Sequence, residues 1–229
     1  GKRKTVAWPW RHLTRLSRAL MPGTVTAICG DPGCGKSLLV LETAEWWHSS
    51  GVKVAVYELE EDRTYHLARL LSQLDNNSDL TDAEWIRANP DASRKAYLRH
   101  RVRLDSFTSC IDAAPDNQIT HATLLKWMED RAKSGCRVIA IDPITAAATS
   151  DKPWVDDLNF LMAAKKIVRD HGCSLVLVTH PRKGKRSGMP LDDLAGGAAY
   201  PRFSQCVLWI VRHERRQSVV CFGPSGNFH

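Results

Sequence analysis

The chain has 229 residues, enough to bury one full-sized core, and its length favours one large domain over two small ones. Apolar residues make up 43% and charged residues 25%, which excludes a disordered or fibrous chain, and no apolar run approaches the roughly 20 residues needed to cross a bilayer. The formal net charge of +7 favours a polyanionic partner without requiring one.

The seven cysteines are odd in number and include no Cys-x-x-Cys pair. Most lie inside apolar runs, so they read as reduced core thiols and not as a metal site. Gly1-Lys2-Arg3-Lys4 is not followed by a secretory apolar core, so neither export nor a membrane partner is expected. The chain starts without an initiator Met and stops soon after an apolar run, as an excised piece of a longer protein would.

In chain order, residues 11–20 read as a helix within an N-terminal linker or docking segment over 1–22. From residue 23 to 229, short runs rich in Val and Ile alternate with segments of helical period, the pattern of an α/β domain with a mostly parallel sheet. Strands are predicted over 24–29, 52–59, 102–107, 138–141, 175–178, 207–211 and 219–222, several of them apolar throughout as buried central strands are. Helices are predicted over 36–49, 63–74, 120–133 and 154–170, with a polar helical excursion over 75–101. In the helix over 154–170, Val155, Leu158, Leu161, Met162 and Val168 mark the face expected to pack on the sheet. The last two strands are separated by only 213–217, a hairpin length, so the sheet is expected to end antiparallel.

Between the first strand and the first of these helices lies Gly30-Asp31-Pro32-Gly33-Cys34-Gly35-Lys36-Ser37, which fits G-x-x-x-x-G-K-[ST]. Glycines there let the backbone curl so that N–H groups and the helix N-terminus face the β- and γ-phosphates of a nucleotide. Lys36 adds a mobile positive charge, and Ser37 offers a hydroxyl oxygen to Mg²⁺, a hard cation that prefers oxygen. Residues 30–37 together with Leu38 are therefore the candidate binding site for ATP and Mg²⁺.

A metal-bound triphosphate also needs a carboxylate near the cation, and Val138-Ile139-Ala140-Ile141-Asp142 ends a buried strand in one, which makes Asp142 the second metal residue. Hydrolysis needs a base for the attacking water, and the strand over 52–59 ends among four acids, Glu58, Glu60, Glu61 and Asp62. Spacing alone does not choose between them.

Taken together, these motifs resemble the hexameric replicative helicases of the DnaB type, the related plasmid helicase RepA and, more distantly, RecA recombinases. The resemblance covers most of the chain. In DnaB-like helicases the strand after the P-loop helix ends in Ser-Leu-Glu-Met, with an Arg nine residues beyond the Glu, and Glu60 and Arg69 keep that spacing. This implies a RecA-like core in which Glu60 is the base; the RepA pattern Ala-Glu-Asp matches Glu60-Glu61-Asp62 and makes Glu61 the alternative. His180, after the strand over 175–178, matches the polar γ-phosphate sensor, Gln in DnaB and His in RepA-like proteins.

The loop that follows carries Arg182, Lys183, Lys185 and Arg186, where the related helicases grip single-stranded DNA. The stretch over 191–197 resembles the Asp-Leu segment before the penultimate strand. Arg212 stands at the position implied for an Arg finger reaching a neighbour's ATP, with Arg202, Arg215 and Arg216 close in sequence. The family's last basic motif is not recognisable before His229.

The resemblance thus implies a hexameric, MgATP-hydrolysing replication helicase that moves on single-stranded DNA in a bacterial cytoplasm, whether encoded by the host, a phage or a plasmid. Two other functions remain open from the same residues: a RecA-like recombination or annealing ATPase, and a regulatory ATPase acting on protein partners.

Overall fold

In the computed structural model, which describes residues 4–18, 20–114, 118–181, 194, 199–213 and 216–222, one sheet organises the chain. Its strands are β1 (Val25–Gly30), β2 (Val54–Glu58), β3 (Ile111–Ala113), β4 (Val138–Asp142), β5 (Ser174–Val178), β6 (Cys206–His213) and β7 (Arg216–Phe222). They stand in the order β3-β2-β4-β5-β1-β6-β7; the first six are mutually parallel, and β7 pairs antiparallel with β6. The helices are α1 (Arg11–Ser17), α2 (Lys36–Ser49), α3 (Arg63–Asp75), α4 (Ala83–Ala88), α5 (Pro90–Thr108), α6 (His121–Lys133), α7 (Pro153–His171) and α8 (Ala199–Phe203).

Every residue of β1, β2, β4 and β5 is buried, because helices cover both faces. Alternation sorts the side chains into two cores. Ala55, Tyr57, Ile139, Ile141, Leu175 and Leu177 join α6 and α7 on one face; Val54, Val56, Val138, Ala140, Val176 and Val178 join α2 on the other. Continuing that alternation by one step puts Glu58, Asp142 and His180 on the α2 face, at the C-terminal ends of adjacent strands, where open parallel sheets bind ligands.

Local chemistry sets the helix ends. Asp62 caps α3 by accepting from the Tyr65 N–H at 2.8 Å, and Thr120 caps α6. Pro153 opens α7, and Gly172, in the left-handed region at φ 61°, closes it. Before β1, Val6, Trp8, Leu13 and Leu20 are buried in the α2-side core, and Trp47 donates its indole N–H to the Ala7 carbonyl at 2.6 Å. Part of the segment expected as a linker is thus packed on this chain's own core.

Two expectations are corrected. The predicted strand over 102–107 is the last part of α5, and the third strand is the three-residue β3 that follows. Ala96, Leu104 and Phe107 are buried at helical spacing, whereas Val102 is 79% exposed, so the apparent alternation there is incidental. In α7 the buried set is Asp157, Phe160, Leu161, Ala164 and Val168, while Val155 and Met162 are exposed. The packed face is therefore rotated from the expected one, to admit Phe160 and Ala164.

Six cysteines, at 29, 34, 110, 136, 173 and 206, are free and buried, as core thiols should be. Among the described residues, no helix is long and apolar enough to cross a membrane. Arg182, Lys183, Lys185, Arg186 and most of the 191–197 stretch lie outside the described residues, as do Arg215 and the side chains of Arg212 and Arg216.

Candidate nucleotide-binding site

The site begins where β1 stops. A Cβ on Gly30 would lie 2.5 Å from the Ile210 carbonyl oxygen of β6 and 2.6 Å from Cys34 Sγ, so the loop leaves the sheet through a gap only glycine fits. Gly33 and Gly35 have φ of 74° and 95°, a region that side chains disfavour, and they turn the chain back into α2. Gly35 is the N-cap of α2. The first turn of α2, with its unshared N–H groups and positive dipole end, therefore faces the hollow that the loop encloses.

Lys36 is only 6% exposed. Its ammonium donates to the carbonyl oxygens of Gly30 at 2.8 Å and Asp31 at 3.0 Å, bonds that hold the loop closed. Cys34 is buried, and its N–H donates to the Asp31 carbonyl at 3.2 Å. Gly30, Asp31 and Cys34 thus shape the loop, while Pro32, Gly33, Gly35, Lys36, Ser37 and Leu38 line a pocket of about 260 Å³.

Facing the loop across this pocket are Asp142, Glu60, Glu61, Arg69 and His180, so the structure brings together the strand-end acid, both candidate bases and the candidate sensor. Three residues given no role from sequence also line it: Glu58, Tyr65 and His66. The only sequence signal for Glu58 is an acid at the buried phase of β2, after Val54 and Val56. Tyr65 and His66 sit on α3, where sequence did not show which face meets the pocket.

Glu58 and Asp142 are paired in register across β2 and β4 and are 1% and 2% exposed. Burial pushes the Glu58 carboxyl well above the usual carboxylate range, the nearby Asp142 and Glu60 add to the rise, and Arg69 opposes it. Burial likewise lifts Asp142 to about 6, against the pull of the Ser37 hydroxyl and Lys36. His66 Nε2 stands 3.4 Å from Glu58 Oε2, but burial and Arg69 push its imidazole down to about 4, so it is neutral near pH 7 and gives Glu58 no counter-charge. Glu58 Oε1 and Asp142 Oδ2 are buried without a hydrogen-bond partner.

These donors fit a hard divalent cation: a hydroxyl oxygen at Ser37 and a buried, unpartnered carboxylate oxygen at Asp142. Among the described residues no group of three or more His, Cys, Asp or Glu side chains forms a metal cage, which suits Mg²⁺ held largely by phosphate and water.

Glu60 and Glu61 are exposed in the turn after β2, where the Leu59 N–H donates to the Asp142 carbonyl at 2.9 Å and ties that turn to the end of β4. His180 Nδ1 lies 2.8 Å from Thr145 Oγ1, and burial, with Lys36, holds its imidazole below the usual range against the pull of Glu60. Arg69 stacks over the Tyr65 ring at 5.3 Å and donates to its hydroxyl at 3.0 Å.

Known proteins share this architecture. Two DNA repair proteins RadA of Mycobacterium tuberculosis, from strains CDC 1551 / Oshkosh and ATCC 25618 / H37Rv, are each 46% identical over 46 residues, a stretch covering 20% of this chain and 10% of theirs. A structure solved as an isolated ATPase domain matches with a TM-score of 0.78 at 13% identity, over 99% of this chain and 87% of that one. A DnaB-like replicative helicase, solved to describe its interactions with primase, matches with a TM-score of 0.80 at 13% identity, over 100% of this chain but 59% of its own. At such identity the likeness is one of fold, and the fold is the RecA-like P-loop core. The AAA_25 family, described as an AAA domain, matches residues 4–186, a span running through the phosphate loop, both acid-ended strands and His180; the chain belongs to that family.

Proposed function

We propose that the protein is an ATP-dependent DNA helicase motor of the DnaB/RepA kind, hydrolysing MgATP and translocating on single-stranded DNA. The observation that carries this reading is the convergence of loop, strand-end acid, exposed Glu pair and His180 on one pocket.

In this reading, the loop N–H groups and the α2 N-terminus hold the β- and γ-phosphates, and Lys36 exchanges its bonds to the Gly30 and Asp31 carbonyls for phosphate oxygens. Ser37 and Asp142 hold Mg²⁺, which neutralises charge developing on the phosphate oxygens. Glu60 takes the proton of the attacking water, with Glu61 as the alternative base. Thr145 fixes the His180 ring through Nδ1, leaving Nε2 to meet the γ-phosphate and to signal its loss to the loop that follows β5. In that loop Arg182, Lys183, Lys185 and Arg186 contact DNA phosphates, which makes binding sensitive to salt. A hexameric ring, with ATP between subunits, a neighbour's Arg212 completing the site and action in a bacterial cytoplasm, belongs to the same proposal.

ATP turnover with and without single-stranded DNA, comparing wild type with Glu60→Gln, tests it. Wild type should be stimulated by DNA and should open a forked duplex, while Glu60→Gln should keep nucleotide affinity and lose turnover by about 10²- to 10⁴-fold. Turnover indifferent to DNA would reject the motor. A DNA-stimulated enzyme unable to part the fork would favour a recombination or repair ATPase, the reading supported by the RadA match. Electron microscopy then separates closed rings from open filaments.

A further inference from the structure

Glu58 has no part in the chemistry described so far, yet it occupies a costly position. It pairs in register with Asp142 across β2 and β4, and adjacent strands lie about 4.8 Å apart, so the two acids leave the sheet side by side. Both side chains line the phosphate pocket, both are almost wholly buried, and each keeps one oxygen, Glu58 Oε1 and Asp142 Oδ2, without a hydrogen-bond partner. Burying two acids together in this way is unfavourable unless something compensates them.

The cations nearby are engaged elsewhere. Lys36 donates to the Gly30 and Asp31 carbonyls, and Arg69 donates to the Tyr65 hydroxyl. His66 approaches Glu58 to 3.4 Å, but neither of its ring nitrogens makes a hydrogen bond. What suits two neighbouring hard oxygens beside a phosphate-binding loop is a hydrated divalent cation. In the Ser-Leu-Glu-Met pattern the corresponding position is a serine, so Glu58 adds a carboxylate to the expected ligand set.

We propose that Glu58 is a second carboxylate of the divalent-cation site, sharing the cation or its bound water with Asp142. The inference rests on the nucleotide-site reading above. It makes Glu58 a determinant of how tightly the cation is held, separate from phosphate binding by the loop.

The test is manganese binding to the full chain in the presence of ADP, followed by electron paramagnetic resonance, for wild type, Glu58→Gln and Glu58→Ser. Nucleotide affinity in EDTA is measured beside it. Both variants should bind Mn²⁺ at least about tenfold more weakly than wild type while binding ADP in EDTA equally well. Their melting temperatures without metal should equal or exceed that of wild type, which a merely structural role would not allow. If either folded variant holds Mn²⁺ as tightly as wild type, the role of Glu58 is overturned while the nucleotide-site reading stands. Wild type that takes up neither nucleotide nor Mn²⁺ overturns both.

Discussion

Asp142→Asn should make the protein more stable and less able to use nucleotide, with the size of the first effect set by pH. Asp142 is buried beside a second buried acid, and burial raises its carboxyl from 3.8 to about 6. The folded state therefore holds this proton more tightly than the unfolded chain does. The stability gained from that proton is fully present below about pH 4 and is lost as pH rises through about 6. At roughly 1.4 kcal/mol per pH unit, the loss amounts to about 3 kcal/mol once the folded-state carboxyl has ionised. Asparagine cannot ionise and escapes it. Urea unfolding without metal or nucleotide should show wild type and Asp142→Asn nearly equal near pH 4, with the variant ahead by about 3 kcal/mol near pH 8. Adding Mg²⁺ and nucleotide should favour wild type, because binding stabilises in proportion to affinity. A difference that stays flat from about pH 4 to 8 would refute the argument that burial of this acid opposes folding.

Gly30→Ala must find room where the Ile210 carbonyl and Cys34 Sγ stand 2.5 and 2.6 Å from the new Cβ, so a loss of about 1–3 kcal/mol is expected in urea, with weakened nucleotide binding. Arg103→Ala leaves Glu45, 2% exposed, without its ion-pair partner, and should cost about 1–3 kcal/mol in the same measurement. Val102→Lys should change stability by less than about 0.5 kcal/mol, because that side chain points into water from α5. A large loss there would contradict the helical assignment of 102–107.

Much of the site is legible in the sequence because its parts are short and rigid. The phosphate loop is one uninterrupted string, and Asp142 ends an apolar run whose alternation with Val138 and Ala140 fixes the face it leaves from. The same reasoning applied to Val54, Val56 and Glu58 marks a buried acid, but the resemblance drew the choice to Glu60 two residues on. The structure puts Glu58, Glu60 and Glu61 on one pocket and distinguishes them by burial, which spacing cannot report. Elsewhere, Val102 and Leu104 imitate a strand's alternation inside a helix, and only the burial of Ala96 and Phe107 along the same helix gives the period away. Val155 and Met162 failed as core markers because Phe160 and Ala164, on the neighbouring stripe of the same helix, fill the space against the sheet.

The in-register pairing of Glu58 with Asp142 also guards the assembly of the catalytic centre. Sliding β4 by one residue along β2 would exchange its two faces, swinging Asp142 into the apolar layer beneath α6 and α7 and turning Ile139 and Ile141 toward the phosphates. A carboxylate stranded in hydrocarbon is among the costliest errors a fold can make. The residues that serve the nucleotide thus act as proofreaders of strand alignment, and a chain that folds at all folds with its acids in the right place.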